Sequence, residues 1–570
     1  MFHITKYRFI LFVGLFLLIQ NYVYSQHVVK TSDELIALLV EDKDQGTILL
    51  DGDLFQMKGV EVKAGGYVKP YPGRNPVLIG FNQEVYRNNN VIDETGYWSA
   101  PITNYHYWQI VFLDKNFNPI PYSSKLNGQD GYNVQAKDIR VVSRKERLVK
   151  IPISVGFDYL KNRGKDFFKN FSIRIGYWFV SMDLIHLYSD DDYLYGNLDY
   201  DYNLTLLGKR PNANVNLRFF NLPKSGDGIF IDGNDVLYVP KEYDFVRVCT
   251  TPPIIRLMGN REITIDGIHF TGASNGTIEI LGSNKHITRC SIKNCGSGVV
   301  TYSGSYSNCS VEKCLIENLY DNIAIKFSRI SNSVIENNTI RHTGTLIRGG
   351  AVIQISGQNF SVRNNYIYDF SYNAISAGYT REYQPGVLSG VISGNVVDNI
   401  ANFGIRDNQL TDGGGIYVLT HTDGVDISDN IVRNIGYEGC ELWGIYLDDG
   451  AYNCTVRQNL VYNIWSGQYA LSARYVDDCE HSNMNNVIES NIFIGPCLIA
   501  GNRKGYGEKT IIRNNYITGE LKTQGDEFVF LEGNKFISAT VGKDGRIVSG
   551  KGERIKKRGL SRSIKKLIKK

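Results

Sequence analysis

Hydrophobic and polar positions alternate along this chain in short runs, without the three-and-four spacing of surface helices. One six-residue phrase keeps returning: an aliphatic residue, two mostly polar ones, Asn or Cys, one more residue, then an apolar side chain. It begins at Ile287, Val311, Ile335, Val362, Ile392, Ile427, Val456, Ile488, Ile512 and Leu531. Its fourth position is Cys290, Cys314, Asn338, Asn365, Asn395, Asn430, Asn459, Asn491, Asn515 and Asn534. Successive fourth positions stand 24, 24, 27, 30, 35, 29, 32, 24 and 19 apart. Within each phrase the alternation has period two, which is the period of a strand. The units are too rich in Gly, Asn, Ile and Val for paired helices. A unit of about 24 residues holds three short strands and three turns, so the repeats predict an all-β solenoid, a parallel β-helix of about 11 coils. An Asn at a fixed corner of each coil stacks on the next at about 4.8 Å. Its amide both donates and accepts, so such a column satisfies itself and the turn backbone. Cys fits the same column as a small residue that buries well.

The rest of the chain fits around this region in order. Met1–Ser25 carries Lys6 and Arg8 before the apolar run Phe9–Ile19 and a small residue at position 25. It predicts a cleaved export signal, with no Cys for lipidation nearby and a run too short to span a membrane comfortably. Residues 26–81 hold a cap and the first coils. Thr31 or Ser32 offers an N-cap, followed by acids and by Leu35, Leu38 and Leu39 at helical spacing, which predicts a short amphipathic helix closing the N-terminal end. Residues 82–250 lose the rhythm and crowd with aromatics, and predict an inserted β-rich domain, with Ser225–Pro240 as a returning hairpin. The aromatics there suit either sugar rings or an ordinary core. Residues 251–548 are the main solenoid and 549–570 a basic tail.

Charge changes this picture only at the end. Of the net charge of +4, residues 551–570 hold +9 and Met1–Ser25 holds +2, which leaves −7 on 26–550. The body therefore has no nucleic-acid footprint. The tail places Leu560, Ile564, Leu567 and Ile568 on one helical face, a pattern for an anionic membrane or an acidic glycan, or else for a solvated tail. Nine Cys are compatible with export, but they include no zinc-like spacing, and Cys290 and Cys314 in one column predict stacked interior thiols rather than a bridge.

Candidate chemistry collects where coils run long. The surplus in the coils that end at Asn365, Asn395, Asn430, Asn459 and Asn491 must leave as loops, the usual place for sites on a rigid scaffold. Those loops and adjoining strands hold Glu382, Asp407, Asp412, His421, Asp423, Glu438, Glu441, Trp443, Asp448, Asp449, Trp465, Arg474, Asp477, Asp478 and His481. Ile416 and Ile445 are as far apart in the sequence as Asn430 and Asn459, so their strands should stack. Alternation then points Tyr417, Tyr446 and Asp448 outward, puts Glu441 over Asp412, and puts Arg474 beside Asp448 if Leu471 follows Ile445. The expected patch has carboxylates at both ends, an aromatic floor and one guanidinium. Repulsion between its acids raises the pKa of one of them, and one protonated and one ionised carboxyl are what glycosidic cleavage needs. Against this stand turn roles: Asp412 bonding its own backbone, and an Asp-Asp-Gly turn at Asp448 and Asp449. Calcium is a further option for the acids; no other cofactor is expected.

The ordered series around Pro72–Gly80, the hairpin Ser225–Pro240, the strand Gly413–Tyr417 and the run Gly444–Gly450 resemble the right-handed parallel β-helix proteins of glycoside hydrolase families 141 and 120, over most of the chain. The resemblance implies that an Asp ahead of the Gly-x-Ile-Tyr strand and an acid near the following coil are catalytic; the matching positions are Asp412 and Asp448 or Asp449. The departure is Gly415, where relatives often have Ala. Three functions follow as expectations. In an exported, monomeric glycoside hydrolase, Asp412 is nucleophile or base and Asp448 the acid. Glu441 and Arg474 tune them, and Trp443, Tyr446 and Trp465, with Tyr417 and His421, hold the sugar. A polysaccharide-binding surface protein would use the same aromatics. A polysaccharide lyase would need a basic catalyst, for which Arg474 is the one candidate on the patch.

Overall fold

A computed structural model describes residues 25–549 apart from 81–82, 88–96, 102–110, 117, 119, 121–130, 155–159, 166–167, 169–170, 178–179, 199–210, 213, 222–228, 232–235, 250–252, 275, 303, 348–349, 379–387, 402–411, 420–421, 438–439, 475–482, 502–507 and 542–546. The chain divides into two units, Met1–Phe81 with Thr251–Lys570, and Asn82–Thr250.

The first unit is a right-handed parallel β-helix, the hand that twisted parallel strands impose on their connections. Its described strands form three parallel sheets of 14, 13 and 12 members, each coil giving one strand to each sheet. The coils therefore slightly outnumber the eleven read from the repeat. An earlier coil escapes the pattern because Ile268 holds the corner position, with Gly267 before it in the left-handed region at φ 68°. The interior is one continuous apolar core of Ile, Val, Leu and Phe from both ends of the solenoid.

The predicted corner column is a hydrogen-bonded ladder. Asn430 Nδ2 donates to the Ile392 carbonyl at 2.9 Å and to Asn459 Oδ1 at 3.0 Å, while its own Oδ1 accepts from Asn395 N at 2.9 Å and Asn395 Nδ2 at 3.0 Å. The same pattern runs from Asn338 through Asn365, Asn459, Asn491 and Asn515 to Asn534. Cys314 joins by its backbone, N to Asn338 Oδ1 at 2.9 Å. The residue just before each of the ten column positions, from Arg289 to Gly533, lies in the left-handed region, φ 53° to 68°. Only Gly adopts that region freely, so at Lys313, Gln458 and Ser490 the ladder holds the turn against the local preference. Eight cysteines are described, all buried free thiols, Cys290 and Cys314 among them; Cys479 lies outside the described residues.

The N-terminal helix is Ser32–Val40, capped by Thr31 in a reciprocal capping box with Glu34. Leu35 and Leu39 are buried in the solenoid core beside Phe55 and Val60, over the first strands of two sheets. The second unit has a seven-stranded antiparallel sheet and two three-stranded ones. Phe230–Ile231 pairs antiparallel with Val236–Pro240 as a hairpin. Its aromatics are core rather than display at Tyr97 and Trp98, both buried, with Trp98 Nε1 donating to the Tyr243 carbonyl at 2.6 Å. The export segment, the basic tail and its apolar face lie outside the described residues. No described helix is long and apolar enough to cross a membrane.

Candidate active site

Four consecutive strands of the 12-stranded sheet frame the site: Asn373–Ala377, Gly413–Val418, Leu442–Leu447 and Leu471–Ala473. Their register is the one that the matched sequence spacing predicts. Ile416 faces Ile445, Tyr417 faces Tyr446 and Val418 faces Leu447; Ile445 faces Leu471 in turn. Asp412 thus precedes its strand level with Glu441, whose carbonyl accepts from Asp412 N at 3.1 Å. Arg474 follows its strand one coil beyond Asp448, its N donating to the Leu447 carbonyl at 2.9 Å.

The two carboxylates meet on one hydroxyl. Tyr446 Oη lies 3.0 Å from Asp412 Oδ1 and 2.6 Å from Asp448 Oδ1. Tyr417 Oη donates to Asp448 Oδ2 at 2.7 Å. Tyr446 has one proton to give, so it can serve both carboxyls at once only when one of them is protonated. Asp448 is the better holder. Burial, then the charge of Asp449, raises its pKa to about 6, against the lowering pull of the two tyrosine hydrogen bonds. Burial and the charges of Asp448 and Asp412 push both tyrosines up, so they stay protonated.

The rings of the expected aromatic floor face outward but are closed over. Tyr417, Trp443 and Tyr446 point away from the solenoid core but are 4%, 2% and 0% exposed, packed on one another with Leu419 and Tyr469. The ring pairs explain the burial: Trp443 and Tyr446 centroids are 4.4 Å apart, Tyr417 and Tyr446 5.1 Å. The Arg474 guanidinium lies 4.2 Å over the Trp443 ring and 5.4 Å from that of Tyr446. Asp448 is nearly buried too, whereas Asp412, Asp449 and Arg474 are half-buried and Glu441 is exposed. Trp443 and Tyr446 share a face although three positions apart because Gly444 turns inward, where a Cβ would strike Val461, and Ile445 is inside as well.

The turn expected at Asp448 is present alongside the carboxylate pair. Asp448 opens a turn, its carbonyl accepting from Ala451 N at 2.9 Å, with Gly450 in the left-handed region at φ 76°. Asp412 is itself left-handed at φ 65°, yet its carboxylate faces Tyr446. Trp465 is exposed, its N donating to the Ile435 carbonyl and its carbonyl accepting from Gln468 N. Glu382, Asp407, His421, Glu438, Asp477, Asp478 and His481 lie outside the described residues. Among the described residues no three His, Cys, Asp or Glu side chains group closely enough to share a metal ion.

Two residues escaped the sequence reading. Tyr372 Oη donates to the Asp412 carbonyl at 2.9 Å, and Asn373 Oδ1 accepts from Gly414 N at 2.6 Å. The one signal was the triple glycine after Asp412. A Cβ on Gly413 would lie 2.5 Å from Asn373 Oδ1 and 2.7 Å from the Tyr372 ring; one on Gly415 would lie 2.5 Å from Val432 Cγ1.

A family model described as a right handed beta helix region matches residues 215–387. No curated protein matches the chain. Among solved structures, one described as a glycoside hydrolase is 10% identical with a TM-score of 0.45, over 87% of this chain and 90% of that one. XylC in complex with xylose gives 10% and 0.45 over 94% of each chain. A PL6 family alginate lyase, AlyGC, gives 13% and 0.26 over 55% and 51%. Likenesses of this degree assign no reaction.

Proposed function

We propose that this chain is an exported glycoside hydrolase acting on an oligosaccharide or polysaccharide by double displacement with retention. One observation carries the reading: a single tyrosine hydroxyl bridges Asp412 and Asp448. Their near oxygens are therefore no farther apart than the 3.0 Å and 2.6 Å legs laid end to end. Retaining enzymes hold their carboxyls about 5–5.5 Å apart, whereas inverting ones leave about 6.5–9.5 Å for a water. The bridged pair falls at the retaining end of that scale. Asp412, the more exposed of the two, attacks the anomeric carbon and forms a glycosyl ester. Asp448 gives its proton to the departing oxygen, then takes one from the water that cleaves the ester. Arg474, pinned over Trp443, supplies positive charge beside Asp448 as that proton leaves.

The competing readings draw less support. A binding protein would want the aromatic rings open to a sugar face, and Tyr417, Trp443 and Tyr446 are buried. A lyase would want a base free to take a proton, but Tyr446 is pushed up and Arg474 lies against two rings. Export rests on the Met1–Ser25 pattern alone.

The test is turnover of an aryl glycoside and polysaccharide panel by the wild type and by Asp412→Asn, Asp448→Asn and Glu441→Gln. Sugar release with retained configuration, lost on the order of 10³-fold or more in Asp412→Asn, supports the proposal. In Asp448→Asn, loss should be steepest for substrates with poor leaving groups. The same leaving-group dependence in Glu441→Gln instead would move the acid role to Glu441. Unsaturated products, or glycan binding without turnover, would reject hydrolysis.

A further inference from the structure

We infer that Tyr372 and Asn373, one coil before Asp412, are positioning residues that fix the Asp412–Gly414 backbone so that the Asp412 carboxylate reaches Tyr446. For its catalytic arm this rests on the hydrolase reading above; its structural arm does not.

The backbone of Asp412 sits at φ 65°, a left-handed conformation that costs strain for any residue with a Cβ. Three hydrogen bonds hold it there. Its N–H goes to Glu441, its carbonyl accepts from Tyr372, and the N–H of Gly414 goes to Asn373. Gly413 and Gly414 also pair with Leu442 and Trp443 on the next coil; the second and third bonds hold the same turn from the preceding coil, and without them the carboxylate direction has more room to change. Gly413 makes this clamp possible, since any Cβ there would occupy the space of both clamping side chains.

The clamp is itself anchored in the interior. Tyr372 is 3% exposed and Asn373 fully buried. Asn322, two coils before Asn373 and also fully buried, donates from Nδ2 to the Asn373 and Gly350 carbonyls, both at 3.2 Å. Its Oδ1 accepts from Thr343 Oγ1 at 3.0 Å and from Ser371 N at 3.2 Å. A line of amides thus runs along the solenoid axis and ends at the turn that carries Asp412. Such a buried network gives geometry rather than chemistry: it removes the slack from the backbone that carries the Asp412 carboxylate.

Tyr372→Phe keeps the ring against Gly413 and deletes only the hydroxyl. Asn373→Ala deletes the acceptor, and Asn373→Asp restores it. The measurement is carboxyl-carbon NMR of ¹³C-Asp-labelled protein across pH, with the Asp448 signal assigned by its loss in Asp448→Asn, alongside steady-state kinetics. When Asp412 leaves Tyr446, that hydroxyl serves Asp448 alone, so the Asp448 titration should fall by about half a unit to one unit in Tyr372→Phe and Asn373→Ala. On a turned-over glycoside, kcat should fall about tenfold or more with KM within about twofold, and Asn373→Asp should recover part of the loss. Folded variants that keep both the wild-type titration and kcat would overturn the inference. A wild type that turns over nothing, but whose titration responds as described, would reject the hydrolase and leave the positioning role standing. Tyr372→Phe decides the matter if Asn373→Ala fails to fold.

Discussion

Tyr446 and Asp448 share a hydrogen bond of 2.6 Å inside the protein, and the same hydroxyl lies 3.0 Å from Asp412. The arrangement sets a proton count. The hydroxyl keeps its proton, so the charge of the site changes by one as Asp448 titrates near its value of about 6.

Removing the bridge should therefore move a pH profile. Tyr446 lowers the Asp448 pKa, so Tyr446→Phe should raise it further, by about one unit. The alkaline limb of kcat/KM, which reports the proton on the general acid, should shift upward by the same amount. A limb that stays in place would separate Asp448 from the acid role.

Stability should follow the same titration. The Asp448 carboxyl is raised from an ordinary 3.8 to about 6, so the folded chain binds its proton more tightly than the unfolded chain. That contribution is complete below about pH 4 and is lost as pH rises through about 6, a swing of about 3 kcal/mol. Asp448→Asn has no such proton. Compared with the wild type, it should gain most of that amount between about pH 4 and pH 7.5, read from denaturant midpoints at both values. A difference between the two proteins that is flat with pH would contradict the raised carboxyl.

The ladder makes a graded stability prediction. Asn430→Ala takes the side-chain partner from the Ile392 carbonyl and from two Asn395 donors in a fully buried corner, while Asn459 Oδ1 keeps only the N–H of residue 430. The cost should be about 3 kcal/mol or more. Asn534, at the end of the ladder and partly exposed, should cost about 1 kcal/mol when replaced by Ala, because water reaches the abandoned groups. Chemical denaturation of the two variants side by side would show the gradient; equal losses would mean that the ladder does not act through desolvation.

Cys314 should accept an amide. Its Sγ already lies 3.7 Å from the Ile287 carbonyl, the position that Nδ2 takes in the coils with Asn. Cys314→Asn should therefore extend the column by one rung and keep or raise the melting temperature, while Cys314→Leu, with no donor or acceptor, should lower it. Calorimetry of both would check this.

Gly415 is a packing matter. Gly415→Ala should destabilise by about 1–3 kcal/mol, since its methyl would lie 2.5 Å from Val432 Cγ1 and 2.9 Å from the Gly444 carbonyl oxygen. Adding Val432→Ala should recover part of that loss, a coupling visible in a double-mutant cycle. Additive losses would mean that Val432 is not what excludes the methyl.

The fold was readable in the sequence because the ladder residue and the left-handed residue before it are local demands of the corner, visible as one phrase. Register followed from counting between ladder positions, which is why Asp412 over Glu441 and Arg474 beyond Asp448 were legible. Exposure was not. Alternation tells which way Tyr417 and Tyr446 point, but not that their rings close on each other and that their hydroxyls turn to carboxylates. Alternation from Ile445 would turn Trp443 inward; it faces outward because Gly444 breaks the alternation, and a glycine gives no warning of the side it takes. Tyr372 and Asn373 were missed because they act on a backbone one coil away, and only the glycines that make room for them left a trace.

The spacing between ladder positions ranges from 19 to 35, yet every rung between Asn338 and Asn534 closes at 2.9–3.0 Å. The corner thus works as a clock that is reset once per revolution. Whatever length a loop adds on the far side is cancelled before the next strand begins, so timing errors never accumulate along the axis. Segments around the acids are free to lengthen, shorten or exchange residues independently, coil by coil, while the strands that aim Asp412 and Asp448 stay in phase.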